Sequence, residues 1–447
     1  MKKILVAALA LVLLVLLAVA GVGLYAMRRL NPAELQKTIL AQARATLGTE
    51  LRVKKMEISL LSGVTLEGVA VKNPAPFPGD LLAADAFVLR YRLLPLLRGR
   101  VEVERLALEK PALALAMDRR GVFNYETLGG GQAAKGRPSA SAAAVPLRIV
   151  MKSLAVENGQ LVMKDAAQAR LMAVDDIDFR SAFEVSGGAA HGKGEVTIGS
   201  VNLADLLFVR GVKAPLAMSK DELTLAPIRG DFAGGEVTGN VRVDLKGGFR
   251  YASEIAVKGA KLETLLKEAR SAAALSGILS GKARFEGSGG LASVRGKGSA
   301  DIGSCRAEQS RVLALLAAVL QVPELANPDF EACHLEFQQT GSRFATPVLK
   351  LTGDAVRLSG KGTLNLDTSG LDYQMTLALA PKLFAKVTRP ELRGGFAQRG
   401  DGFASIDFRL YGTTLEPKTD LMTRLGKAAA TEAAKQGLNK LLKRKVF

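Results

Sequence analysis

The side chains in this chain that could carry chemistry are few and wrongly spaced for it. The run Gly187-Gly188-Ala189-Ala190-His191-Gly192-Lys193-Gly194 comes near a phosphate-binding loop. That loop needs Ser or Thr after its lysine to hold magnesium, and a helix beyond it. Here Gly194 takes that place and Glu195-Val196-Thr197-Ile198 reads as strand, so no nucleotide site is expected. His191 and His334 are the only histidines, too few for a His-rich zinc site. Asp175, Asp176 and Asp178 cluster, but a calcium loop carries more oxygen ligands at fixed spacing, and these read as a solvated strand start. There is no Gly-x-Ser-x-Gly elbow either. Without an acid–base pair, nucleophile or metal set, the chain is expected to be no enzyme and to need no cofactor or metal.

Two cysteines remain, Cys305 and Cys333. Their flanks read as strand ends on either side of one helix, so the two can meet and form a disulfide in an oxidising compartment. The alternative is a pair of small buried hydrophobes.

The elements that position these residues begin at the N-terminus. Ile4 to Met27 carries no charged side chain and is mostly Leu, Val and Ala. A membrane-spanning helix takes roughly 20 apolar residues, so the run is long enough. Ala18-Val19-Ala20 resembles a cleavage site, but the apolar run continues to Arg28 and is longer than a signal peptide's. The expectation is an uncleaved anchor over 1–28, with Lys2 and Lys3 inside and, in a bacterium, residues 30–447 in the periplasm. Pro32 to Leu47 then reads as a helix, with Asn31 as N-cap and Gly48 past its end.

Beyond it the pattern is strand, in segments such as Val64-Thr65-Leu66 and Val101-Glu102-Val103, to about Leu128. Residues 129–146, small, polar and without period, read as a linker or long loop. Strands resume at Leu147. The clearest is Leu371-Asp372-Tyr373-Gln374-Met375-Thr376-Leu377-Ala378-Leu379, whose odd positions are apolar and whose even ones are polar or small. Val241 and Val243, and Ile406 and Phe408, sit in the same alternation. Helices are expected only at Leu203–Phe208, Leu262–Ala269 and Arg311–Gln321. Lys418 to Phe447 reads as a basic amphipathic helix, in which Lys440, Lys443, Arg444 and Lys445 meet an anionic membrane or an acidic partner, or else stay solvated on a capping helix. Expected domains are therefore 29–128, 147–416 and 417–447 after the anchor.

A net charge of +18 admits anionic lipid, nucleic acid or mere solubility. Nucleic acid is not expected, since no aromatic residues interleave with the cations for base stacking. The scarcity of helices raises a different question: what covers the apolar face of roughly 18–22 strands, given that an antiparallel sheet tolerates only one wet face? Either the sheet packs on itself, or it curls into a trough whose apolar face something else covers.

The stretch LRVKKMEISLLSGVTLEGVAVKNP, with its Asn73-Pro74 turn, and LLPLLRGRVEVERLALEKPALALAMDRRGVFNYETL, ending in Asp118, Gly121 and Asn124, resembles the start of AsmA-like proteins. FATPVLKLTGDAVRLSGKGTLNLDTSGLDYQMTLALA and LYGTTLEPKTDL are similar to that family's C-terminal region, so the resemblance covers about 29–128 and 280–425. It implies a mostly β fold, a long curled antiparallel groove related to the chorein-type carriers, and phospholipid transfer between membranes. Groove-lining candidates are then Leu371, Tyr373, Met375, Leu377, Leu379, Val241, Val243, Ile406 and Phe408. On that expectation Met375→Glu or Leu377→Asp would abolish lipid binding and spare the fold. At about 4.8 Å per strand, some 20 strands reach roughly 100 Å, which is short for a bridge and suggests an envelope protein partner or local lipid delivery. The other reading is a non-enzymatic factor for outer-membrane assembly with a closed β core and no lipid.

Overall fold

The computed structural model describes residues 40–424, except 42–43, 45–46, 60–62, 93, 96–99, 129–147, 187–188, 246–249, 271–273, 289–292, 309–310, 389, 399, 415 and 422. The expected anchor, most of the helix from Pro32 to Leu47, and Lys440, Lys443, Arg444 and Lys445 lie outside these residues. Among the described residues no helix is long and apolar enough to cross a membrane.

The described chain is mostly β, with 22 strands and few, short helices. It forms two compact units, one of residues 1–231 with 238–253, the other of 232–237 with 254–447. The first contains β1 (Leu51–Arg52), β2 (Lys55–Ser59), β3 (Gly63–Lys72), β4 (Asp80–Arg92), β5 (Arg100–Glu109), β6 (Ala112–Ala116), β7 (Arg148–Lys164), β8 (Arg170–Ser186), β9 (Ala189–Leu203) and β10 (Leu207–Lys220). The boundary falls within β11 (Glu222–Phe232), β12 (Gly235–Asp244) and β13 (Arg250–Lys261). The second unit continues with α1 (Leu262–Glu268), β14 (Ala274–Ser288), β15 (Arg295–Glu308), α2 (Arg311–Leu320), β16 (Asp329–Thr340), β17 (Arg343–Thr352), β18 (Val356–Asn365), β19 (Gly370–Leu379), α3 (Pro381–Phe384), α4 (Pro390–Arg393), β20 (Ala397–Gln398), β21 (Ala404–Thr413) and β22 (Pro417–Thr419).

Most neighbours are antiparallel, as meanders joined by tight turns must be. In the first unit β7, β8, β9 and β10 pair in chain order. The exception is β7, which runs parallel to both β5 and β6. Parallel neighbours need a crossover of a dozen or more residues, and the chain between β6 and β7 supplies that length. The expected linker or loop, 129–146, lies outside the described residues. In the second unit β14 through β19 pair in order, and β21 closes onto β19.

Two of the expected helices form, as α1 and α2. Leu203–Phe208 does not. Leu203 ends β9, Leu207 starts β10, and Ala204 and Asp205 both take positive φ, 54° and 56°. Leu206 N–H donates to the Leu203 carbonyl at 3.0 Å, closing a β-turn centred on Ala204 and Asp205 within a three-residue hairpin loop. Lys418 and Thr419 belong to β22, so the expected C-terminal helix does not begin at Lys418.

Candidate functional site

The register of the second unit sorts its side chains into rows that cross the strands. One row runs Leu279, Ile302, Cys333, Leu351, Leu358, Leu377, Ile406. The next along the strands runs Gly281, Ala300, Leu335, Leu349, Gly360, Met375, Phe408. Four residues further on, at the opposite end of the face, lies Phe285, Gly296, Gln339, Phe344, Leu364, Leu371, Gly412. All three lie on one face, because side chains alternate along a strand. The other face carries charge, as in the ion pairs Arg409–Asp372 at 2.7 Å and Arg284–Glu254 at 2.9 Å.

Cover on the apolar face changes along the strands. At one end Leu377, Leu379, Val356, Ile406 and Phe408 are sealed in a core with Leu313 and Leu320 of α2, Leu383 and Phe384 of α3, and Leu421. At the other end every side chain of the Phe285–Leu371 row is only half-buried. There Phe337 stacks on Phe344 with ring centroids 5.0 Å apart and stands 6.3 Å from Phe285. Gly298 lies under Phe337 and Gly362 under Tyr373, and a Cβ at either would collide with the ring. The Tyr373 hydroxyl is satisfied by the buried Thr346 hydroxyl at 2.9 Å.

The lining candidates thus divide. Met375, Leu377, Leu379, Ile406 and Phe408 are core residues, buried under the expected helix α2 and under shorter helices that the sequence does not show, and the expectation that Met375→Glu or Leu377→Asp would spare the fold does not survive that burial. Leu371 and Tyr373 lie toward the open end, half-buried; Val241 and Val243, in the part of β12 that belongs to the first unit, are also half-buried. The residues that alternation alone did not single out are Phe285, Phe337 and Phe344, and their signal was aromatic residues at matched register on successive strands.

The first unit has a similar face. Its rows include Val156, Phe179, Val196, Ala214 and, nearest the strand ends, Met163, Met172, Leu203, Leu207. Ala214 is buried, Met163 and Met172 are half-buried, and Leu203 and Leu207 are exposed.

Cys305 and Cys333 do meet, but as free thiols within the sealed core. The hydrogen bond between them favours ionisation at Cys305, which is drawn down to about 7, and holds Cys333 well up. His334, half-buried on the polar face, has its Nδ1 2.6 Å from Asp301, and that hydrogen bond raises its pKa.

Asn73, Asp118, Gly121 and Asn124 build a polar lock. The fully buried Asn124 amide donates to Asn73 Oδ1 and to the Ala114 carbonyl, both at 2.8 Å. Its oxygen accepts from Ala116 N at 3.2 Å and Tyr125 N at 3.0 Å. Asp118 caps its own turn by accepting from the backbone N–H groups of Val122 and Arg120, which hold its carboxyl below the usual range. Gly121 completes that turn at φ 80°. These residues do structural work.

An amphipathic, mostly antiparallel sheet, charged on one face and apolar on the other, with cover at only one end of the strands, defines a class of protein built to present apolar surface. Within that class, residues 1–187 match the model of the AsmA family. The match ends with β8 and does not reach the stretch from 280 to 425 that resembles the family's C-terminal region. No curated protein matches the chain.

Proposed function

We infer that the apolar face binds phospholipid acyl chains, and that the protein, anchored in the bacterial inner membrane with its sheet in the periplasm, assists lipid transfer or outer-membrane homeostasis. The observation that carries this reading is the half-buried row from Phe285 to Leu371, a mostly apolar strip six strands wide that no described helix covers. Contiguous apolar surface of this kind marks a binding site on a protein that stays in water. Acyl chains suit it because the strip offers little for polar recognition beyond Gln339, and head groups remain at the wet margin.

A photo-crosslinking residue at Leu371 or Phe344 in the full chain is expected to capture phospholipid in cells, while one at Lys361 on the polar face captures none. A folded protein that captures no lipid at either apolar position ends this reading. Capture of an envelope protein at those positions in place of lipid favours the assembly-factor reading.

A further inference from the structure

The described residues include few large apolar side chains left in water, and four of them lie at one place along the strand ends. Leu203, Leu206 and Leu207 are 38%, 56% and 41% exposed on the β9–β10 hairpin, and Leu171, 37% exposed, lies beside them at the start of β8. Ala204 N–H donates to the Leu171 carbonyl at 2.9 Å, so the hairpin tip and Leu171 move as one body. The tip is rigid for its size: Asn202 accepts from Asp205 N at 3.0 Å and donates to Asp205 Oδ1 at 2.7 Å. Leu203 and Leu207 end the row that starts at Met163, so the apolar face runs out to the sheet edge and stops in open solvent.

The same edge carries two more turns. Lys164 ends β7 opposite Arg170, and Ala116 at the end of β6 pairs with Lys164, which brings the 118–122 turn alongside. Strands about 4.8 Å apart put all three turns within roughly 15 Å. Their aspartates are spent on their own turns. Asp118 holds Arg120 N and Val122 N, Asp165 holds Ala167 N and Ala169 N, and Asp205 holds Asn202 and Arg170. What projects outward is leucine flanked by exposed Arg119 and Lys164, and by exposed Arg120 and Arg170, whose guanidiniums also pair with Asp118 and Asp205 at 3.2 Å.

We propose that this edge is a membrane-contact site: the leucines enter the interfacial layer of a bilayer and the surrounding cations meet anionic phosphate head groups. A protruding apolar tip with a cationic rim fits a lipid surface, where apolar area and basic charge add. It fits a folded protein partner less well, since the tip offers neither a groove nor a flat patch. The proposal stands apart from acyl-chain binding on the sheet face: either is true or false without the other.

The sequence contains no tryptophan, so one added residue is a clean reporter. Leu206→Trp places it on the tip. Ser219→Trp places it at the far end of β10, also exposed. The full chain is held in nanodiscs, with brominated phosphatidylglycerol either in the disc or in added vesicles, because bromine quenches tryptophan only on contact. Quenching of the Leu206→Trp reporter in either arm, with the Ser219→Trp reporter spared, is the expected result. Arg119→Glu and Arg120→Glu should each weaken that quenching about fivefold or more in lipid titrations, at unchanged far-UV circular dichroism. No quenching in both arms, or equal quenching of both reporters, overturns the proposal. So does short-wavelength emission from the Leu206→Trp reporter in a lipid-free sample held in amphipathic polymer, which shows that another protein segment or a second copy covers the tip.

Discussion

Leu371 and Leu377 share one strand and one face, six positions apart, and their cover is opposite. Leu377 is fully buried between Leu358 and Ile406, which are themselves buried, whereas Leu371 lies half-buried between Leu364 and Gly412. Truncating a sealed core leucine removes transfer energy and leaves a cavity, so Leu377→Ala is expected to cost about 3 kcal/mol. At Leu371 no closed cavity can form and part of the side chain is already wet, so the same truncation costs about 1 kcal/mol or less. With a urea m-value near 2 kcal/mol/M for a unit of this size, the midpoints fall by about 1.5 M and about 0.5 M. Met375→Glu goes further, since it puts a carboxylate into the core, and the region around β19 is expected not to fold. The two units need not unfold together, so the readout must be local: hydrogen exchange of β19 peptides through a urea series on the full chain. Equal midpoint shifts for Leu371→Ala and Leu377→Ala would refute the gradient in cover, and with it the division into a closed end that stabilises and an open end that binds.

Other expectations follow from particular contacts. Asn124→Ala strands Asn73 Oδ1, the Ala114 carbonyl and the N–H groups of Ala116 and Tyr125, and is expected to cost about 2–4 kcal/mol. Asn124→Asp should be worse, because it points oxygen at two acceptors; thermal melts within a degree or two of the parent would show that the lock carries no load. Protonated His334 gains from Asp301, so its folded pKa is raised. That contribution is complete below the unfolded value of about 6.5 and is lost as pH rises through the folded pKa. Asp301→Asn should therefore lower the urea midpoint slightly at about pH 5.5 and not at about pH 8.5, the effect staying small because the pair is largely wet. A difference that persists undiminished at the higher pH would mean that Asp301 acts through something other than the imidazolium.

Strand type was legible wherever alternation was strict. Leu371 to Leu379, Val241 to Leu245 and Ile406 to Leu410 all fall in strands or at their ends, because a period of two has no helical counterpart. The hairpin at Leu203–Phe208 misled because leucines at 203, 206 and 207 mimic the i, i+3, i+4 spacing of a helix. Its turn also takes positive φ at Ala and Asp, where no glycine announces it. The candidate site was half legible. Alternation shows which residues share a face but not what covers it, and beside the legible α2 the cover here comes from four-residue helices at Pro381–Phe384 and Pro390–Arg393, too short to show a period. The parallel join of β7 to β5 and β6 was out of reach for the same reason: nothing local records a pairing across so much chain.

The glycines bear on how tightly the open face can hold anything. Phe337 lies across Gly298 and Tyr373 across Gly362, each ring occupying the space that a Cβ would take. A ring pressed flat on the backbone hides part of its own surface and part of its neighbour's, so the open row is half-buried with no ligand present. Transfer free energy scales with area removed from water, at about 25 cal/mol per Å². A lipid chain arriving on this face therefore gains only the area the rings have left exposed. On the proposed function, this sets each local contact weak and the exchange of lipid fast, as a carrier needs and a storage site does not. Replacing Gly296 with Ala, whose Cβ would meet the Phe285 ring but no backbone nearer than 3.4 Å, displaces that ring from the backbone. The face then becomes deeper and more exposed, and lipid captured at Leu371 should be released more slowly than from the parent chain. Unchanged or faster release, measured as loss of a fluorescent phospholipid to excess vesicles from a variant that still folds, would show that the rings do not govern how the face holds lipid.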